Sequence, residues 1–116
     1  MRKLVWLGTA DKDLKAMPER VRSTFGYALY EAQLGNRHNK AKVLTGFGSA
    51  GVLEVVEDSQ SATFRAVYTV KFGATVYVLH CFQKKSMHGI ATPRRDVDLI
   101  RERLKEAQAL ALGETK

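Results

Sequence analysis

The chain has 116 residues, 45% of them hydrophobic, and a formal net charge of +7 at pH 7. This length predicts one domain, residues 1–116, with residues 113–116 as a frayed tail. No run is long enough to cross a bilayer, the N-terminal stretch lacks the apolar length of a secretory signal, and the single cysteine, Cys81, cannot form an internal disulfide. These features predict a cytoplasmic protein. The excess of Lys and Arg has two explanations, binding of a polyanionic or acidic partner and solubility alone, and we favour the first.

The N-terminal part of the chain predicts a strand followed by two helices. Residues 3–7 (KLVWL) have the pattern of a short strand, and residues 11–17 that of a short helix with Thr9 or Asp11 as its N-cap. A second helix begins at Pro18 and is capped by Gly35. Its apolar residues repeat at helical spacing: Val21, Phe25, Ala28, Leu29 and Ala32. Tyr27 and Tyr30 are interpreted as ordinary side chains of this helix, with RNA stacking as the alternative.

Residues 36–51 predict a glycine-rich loop or bulge. Gly46 and Gly48 do not make a phosphate-binding fingerprint, because the accompanying helix and further glycine are missing. The segment carries a small basic group that is either solvated or in contact with RNA phosphates. The candidate RNA-binding residues are this group, Arg37, Lys40 and Lys42, together with Lys71 further along the chain.

Residues 52–88 predict three strands joined by tight loops at DSQSA and KFGA and followed by a cationic loop. The third of these strands is apolar on both faces, so we expect it to be central in the sheet. Strict alternation would place His80 on one face with Val76, Val78 and Phe82, and Cys81 on the other. Thr92 and Pro93 then start a last helix with an apolar stripe. The predicted fold class is α+β, a small antiparallel β-sheet packed with two N-terminal helices and a C-terminal helix.

Several kinds of active site are excluded by the residues present. No His, Cys, Asp and Glu group has metal-ligand spacing, and no GxxxxGK loop is present. The sequence also lacks a nucleophilic Ser elbow, and its few acids do not support a carboxylate pair for glycoside chemistry. We therefore expect no metal and no cofactor.

Cations near the strand ends are the remaining candidates. Arg65 lies within a strand and either pairs with Glu54 or Glu57 across the ladder or grips a phosphate. Lys84 and Lys85 follow the third strand and would add to a local positive field. RNA cleavage by its own 2′-hydroxyl needs in-line positioning, charge stabilisation and two proton transfers, which such cations and one His can supply. The candidate catalytic residues are Arg65, Lys84, Lys85 and His88.

The two other histidines and Tyr68 are weaker candidates. The strand pattern indicates that His80 is a core residue with one hydrogen bond and that Tyr68 is a core side chain. His38 is interpreted as a loop residue. Without a metal, the expected products are a 2′,3′-cyclic phosphate and a 5′-hydroxyl.

The segments FRAVYTV, VYVLHCFQKKS and TPRRDVDLIRERLKE together resemble the RelE/HigB-type toxins of bacterial toxin–antitoxin systems, especially the phage-derived HigB-like branch. The likeness extends from about Leu4 to Ala107. It implies a RelE-like fold and a role as the toxin component of a type II toxin–antitoxin system. The implied activity is that of an mRNA interferase, an endoribonuclease that cleaves messenger RNA in association with the ribosome and thereby inhibits translation. It also implies neutralisation by a helix-turn-helix antitoxin, through which the pair would bind operator DNA.

The resemblance also suggests which residues act. The strand arginine of these toxins corresponds to Arg65, and their basic pair to Lys84 and Lys85. Other members carry a catalytic Tyr or His near the C-terminus, but the sequence after Leu104 has neither.

Two alternatives stay open at the level of sequence. One is a ParE-like inhibitor that binds DNA gyrase and is not a nuclease. The other is a non-toxic phage module that binds RNA or protein.

Overall fold

The structure, a computed structural model, describes residues 1–48, 51–60, 62–84 and 92–114. Its elements in chain order are β1 (Lys3–Trp6), α1 (Ala10–Lys15), α2 (Glu19–Gln33), β2 (Ala41–Val43), β3 (Val52–Ser59), β4 (Ala62–Thr69), β5 (Thr75–Lys84) and α3 (Arg94–Glu114). The helix ends lie close to the predicted positions: Pro18 and Pro93 directly precede α2 and α3. None of the helices in these ranges is long and apolar enough to span a membrane.

Within the described residues, five strands form one sheet in the order β1-β5-β4-β3-β2. The strands β2 to β5 are antiparallel to their neighbours, whereas β1 runs parallel to β5. The predicted α+β class with three helices is confirmed, and β5 lies inside the sheet as expected. The sheet is mixed, however, because the chain returns through α1 and α2 before its antiparallel strands begin.

The segment predicted as a loop before β3 contains a short edge strand. In β2, Lys42 pairs with Glu54 and Val43 with Leu53 of β3. Three residues are too few to show a periodic pattern. This strand is therefore visible only once its partner strand is in place.

Apolar side chains fill both faces of the sheet. On one face α1 and α2 pack through Leu14, Phe25 and Leu29 against strand residues such as Val55 and Tyr68. On the opposite face α3 packs through Ile100 and Ala107 against residues that include Val67, Tyr77 and Leu79. We call the two sides of the sheet the α2 face and the α3 face.

A β-bulge in β5 changes which side chains share a face. The register runs from Val67 opposite His80 to Tyr68 opposite Val78, so Leu79 is an additional residue in β5. As a result Cys81 joins the cluster on the α2 face and Phe82 the cluster on the α3 face. The prediction that Phe82 shares a face with Val76 and Val78 was wrong, because strict alternation does not hold across a bulge.

A buried polar network fastens α3 to the bulge. Arg103 of α3 donates from Nη1 to the Leu79 carbonyl at 2.9 Å, and the same nitrogen lies 3.4 Å from His80 Nδ1. His80 Nε2 lies 2.8 Å from Asp96 Oδ1. Since a guanidinium only donates, Nδ1 is the accepting nitrogen, and the imidazole proton is on Nε2, facing Asp96. His80 is thus a core residue, as expected, with a contact on each ring nitrogen.

Candidate functional site

Three charged side chains from adjacent strands come together on the α3 face. Arg65 of β4 pairs with Val56, so Glu54 of β3, two residues along, is its diagonal neighbour on the same face. On the other side Arg65 pairs with Phe82, so Lys84 of β5 is also a diagonal neighbour. Such neighbours have Cα atoms about 7–8 Å apart, within reach of long side chains. We call Glu54, Arg65 and Lys84 the charged triad.

Arg65 and Glu54 form a nearly buried ion pair. The Arg65 Nη1 to Glu54 Oε2 distance is 2.8 Å, and the two side chains are only 10% and 15% exposed. Nη1 also lies 3.4 Å from Thr92 Oγ1, just before α3. This is the cross-strand pairing that the sequence allowed as one of two roles for Arg65.

The Arg65 guanidinium still has donor capacity. Its Nε is buried and has no hydrogen-bond partner among the described residues. A buried donor without a partner costs about 1–3 kcal/mol. The carboxylate therefore satisfies only part of the donor capacity of the guanidinium.

Lys84 is buried beside this pair. Burial is the largest cause that lowers the pKa of its ammonium below the usual 10.5, and the positive charge of Arg65 adds to the effect, while Glu54 opposes it. A lysine in this setting releases its proton more readily than an exposed lysine does. Such a group can both attract a phosphate and donate a proton.

A cavity of about 400 Å³ opens next to Arg65. Glu54, Arg65 and Thr92 form its polar side. The remainder comes from the segment after β2 and from α3: Val43, Leu44, Thr45, Phe47, Val97 and Arg101. The Arg101 guanidinium carbon lies 5.1 Å from the centre of the Phe47 ring, and its Nη2 donates to the Gly46 carbonyl at 3.3 Å.

The structure separates the predicted RNA-binding residues. Lys42 pairs with Glu54 in the sheet, so it lies on the α3 face with the charged triad. Lys40 instead binds Glu57 at 2.8 Å, a buried carboxylate of the α2 face. Arg37 donates from Nε to the Ala41 carbonyl at 3.2 Å.

The two ends of the sheet hold the other predicted residues. Lys71 lies between β4 and β5, with its ammonium 5.7 Å from the centre of the Phe72 ring. This connection is at the opposite end of β5 from Lys84, so Lys71 is far from the charged triad. The predicted residues Lys85 and His88 lie outside the described residues.

Two residues of this site were missed as functional candidates in the sequence. Glu54 was considered only as a strand partner, and Arg101 only as a helix residue off the apolar stripe. The spacing of Val97 and Arg101, four residues apart, does place them on one side of a helix. Their convergence with Phe47 depends on the tertiary fold and leaves no local signal.

The fold is that of the RelE toxins. The isolated RelE toxin of E. coli matches with a TM-score of 0.58 and 20% sequence identity, covering 76% of this chain and 89% of that chain. A RelBE2 toxin–antitoxin complex of Mycobacterium tuberculosis matches with a TM-score of 0.46 and 18% identity, covering 73% of this chain and 93% of that chain. No curated protein sequence matches.

Residues 12–105 match the family of phage-derived Gp49-like proteins, and the chain belongs to this family. The phage-derived family and the RelE-like fold, which the resemblance of FRAVYTV and the segments after it implied, are thereby confirmed.

Proposed function

We propose that this protein is the toxin of a type II toxin–antitoxin system and that it cleaves messenger RNA on the ribosome without a metal. The observation that carries the proposal is the charged triad on the α3 face. Two cations and a carboxylate from three adjacent strands meet beside a cavity of about 400 Å³. Such a set can hold a phosphodiester and move protons around it.

Each member of the triad has a role in this reaction. Arg65 and Lys84 bind the scissile phosphate and stabilise the charge that develops on it. Glu54 accepts the proton of the 2′-hydroxyl, whose oxygen then attacks phosphorus as the bond to the 5′-oxygen breaks. Lys84 donates a proton to that leaving oxygen, a step for which the lowered pKa of its ammonium is suited. The products are a 2′,3′-cyclic phosphate and a 5′-hydroxyl.

The two remaining residues proposed from the sequence fit into the same scheme. Lys85 directly follows Lys84 and adds positive charge for RNA binding. His88 is a second candidate for the proton donor, and the variants Lys84→Gln and His88→Gln separate the two. The residue that donates the proton is the one whose loss removes the alkaline limb of the cleavage rate profile.

A toxin of this activity needs an inhibitor in the cell that makes it. We propose a cognate antitoxin with a helix-turn-helix domain, through which the pair would also bind operator DNA. The net charge of +7 favours an acidic segment of that partner as the one that covers the toxin.

The test is induction of wild-type and variant proteins in a bacterial host, with the 5′ ends of messenger RNA mapped after growth arrest. Arg65→Lys keeps the charge beside Glu54 but loses the two-pronged grip on phosphate, so it should abolish both arrest and cutting while the protein stays folded. Lys15→Ala removes a positive charge from an exposed ion pair on α1, away from the triad, and should leave both arrest and cutting unchanged.

Three results would contradict the proposal. Arrest without new RNA ends would indicate a ParE-like gyrase inhibitor. No arrest in the wild type would indicate a non-toxic binding module. Cuts that leave 3′-hydroxyl ends would exclude the 2′-hydroxyl as the nucleophile.

A further inference from the structure

We propose that the cavity beside Arg65 is a nucleobase subsite, in which Phe47 stacks on the base of a nucleotide next to the phosphate held by the charged triad. This inference rests on the proposed function for its ligand, RNA. It concerns two residues outside the triad that line the same cavity, Phe47 and Arg101.

The lining of the cavity contains two chemically different sets of residues. Arg65, Glu54 and Thr92 are polar and lie beside the position proposed for the phosphate. Leu44, Phe47 and Val97, which also line the cavity, are apolar. A nucleotide has the same division, since its phosphate is anionic and its base is a flat surface that stacks well on apolar and aromatic groups.

The size of the cavity limits the bound part of the ligand to one nucleotide. Its volume of about 400 Å³ lies near the lower end of the range of about 300–1,000 Å³ that is typical of small-molecule sites. One nucleotide is of this scale, whereas a folded RNA element is not. The flanking bases of a longer RNA would therefore lie outside.

The Phe47 ring is held in place from two directions. Gly46 and Gly48 on either side of it have φ angles of +94° and +68°, a left-handed conformation that suits glycine and turns the chain sharply at the ring. Arg101 covers one face of the ring and also binds the Gly46 carbonyl. The ring is only partly buried, so part of its surface is open to a base.

Arg101 gives the subsite its preference for nucleic acid. A guanidinium stacks on a base as readily as on a phenyl ring, and it attracts the neighbouring phosphate as well. With Arg65 it gives the lining of the cavity two cations. An uncharged apolar peptide would gain nothing from the second cation.

The experiment measures binding of the four nucleoside 5′-monophosphates and of ribose 5-phosphate by NMR titration of the whole protein. We expect the nucleotides to bind more tightly than ribose 5-phosphate, which has the phosphate and sugar but no base. Phe47→Ala should weaken nucleotide binding by about 5- to 140-fold. It should leave the affinity for ribose 5-phosphate unchanged.

Phe72→Ala is the matched control, because Phe72 also lies under a cation, Lys71, but at the other end of the sheet. It should leave both affinities unchanged. Phe47→Leu keeps apolar volume but has no aromatic face, so a folded Leu variant that also loses nucleotide binding supports stacking. Equal binding of nucleotides and ribose 5-phosphate by the wild type would overturn the subsite, and so would equal weakening of both by Phe47→Ala.

The subsite and the proposed function can fail separately. If the wild type cuts no RNA yet binds nucleotides through Phe47, the ribonuclease proposal fails and the subsite stands. If the wild type cuts RNA but Phe47→Leu changes neither nucleotide binding nor the bases found at the cut positions, the subsite fails and the ribonuclease stands.

Discussion

Gly8 offers a sharp test of how α3 is fastened to the sheet. It lies just after β1 with a φ of +53°, and a Cβ added there would lie 2.5 Å from Nη2 of Arg103 and 2.6 Å from its Cζ. Arg103 is buried and donates to the Leu79 carbonyl. In Gly8→Ala the methyl group and the guanidinium cannot both keep their positions.

The cost has two parts that can be worked out separately. A residue with a Cβ in the left-handed conformation costs about 1–2 kcal/mol. Displacing the guanidinium breaks a hydrogen bond from a charged, buried group, which costs about 1.5–3 kcal/mol. The free energy of unfolding of Gly8→Ala should therefore fall by about 2.5–5 kcal/mol, a large part of the 5–15 kcal/mol typical of a domain.

Urea unfolding of four proteins separates the two parts: wild type, Gly8→Ala, Arg103→Ala and the double variant. Without Arg103, Gly8→Ala should cost only the conformational part, about 1–2 kcal/mol. Gly26→Ala is the control, because Gly26 is exposed in the middle of α2 and a Cβ there meets nothing within 4 Å. It should stabilise the protein by about 0.5–1 kcal/mol. A cost of less than about 1 kcal/mol for Gly8→Ala, or an equal cost with and without Arg103, would show that the methyl group does not displace the guanidinium.

Two further predictions follow from buried groups of β5. Burial lowers the pKa of His80 below its usual 6.5, with Arg103 in the same direction and with Asp96 and Asp13 opposing. The unfolded chain then takes up a proton that the folded protein does not. The contribution of His80 to the free energy of unfolding should thus be fully present above about pH 6.5 and be lost as the pH falls below it. Between pH 7.5 and 5.5, His80→Gln should not show this loss. Identical slopes of unfolding free energy against pH for the two proteins would contradict the prediction. Cys81 is 1% exposed, and burial raises the pKa of its thiol to about 12. Iodoacetamide at pH 8 should therefore label Cys81 only after the protein unfolds. Rapid labelling of the folded protein would show that the thiol is accessible in the native state.

Local sequence patterns were sufficient to predict a structural feature when that feature depends on a single helix or strand. The helical spacing of Val21, Phe25 and Leu29 predicted α2 and its buried face, and the apolar run of β5 predicted its place inside the sheet. The possible pairing of Arg65 with Glu54 was also visible, because both lie in strands expected to be neighbours. In each case the physical cause acts within one segment or between two segments adjacent in sequence.

Features that depend on distant segments had no such signal. The strand β2 forms by pairing with the edge of β3. The parallel pairing of β1 with β5 joins residues more than 70 positions apart along the chain. The bulge at Leu79 is determined by the pairing with β4, so alternation within β5 alone placed Phe82 and Cys81 on the wrong faces. The cavity wall formed by Phe47 and Arg101 likewise requires the packed structure.

The bulge connects the core of the protein to its candidate site. It brings His80 to the α3 face, where Asp96 and Arg103 fix it between two points of α3 one to two helical turns apart. Arg101 and Thr92 belong to α3 or the residues just before it, so their positions beside the charged triad depend on how α3 is held. A variant that breaks the network at Arg103 should therefore shift Arg101 relative to Phe47 and weaken nucleotide binding, although Arg103 itself lines no part of the cavity. Folded Arg103→Ala with unchanged affinity for nucleotides would show instead that apolar packing through Ile100 and Ala107 is enough to hold α3 in place.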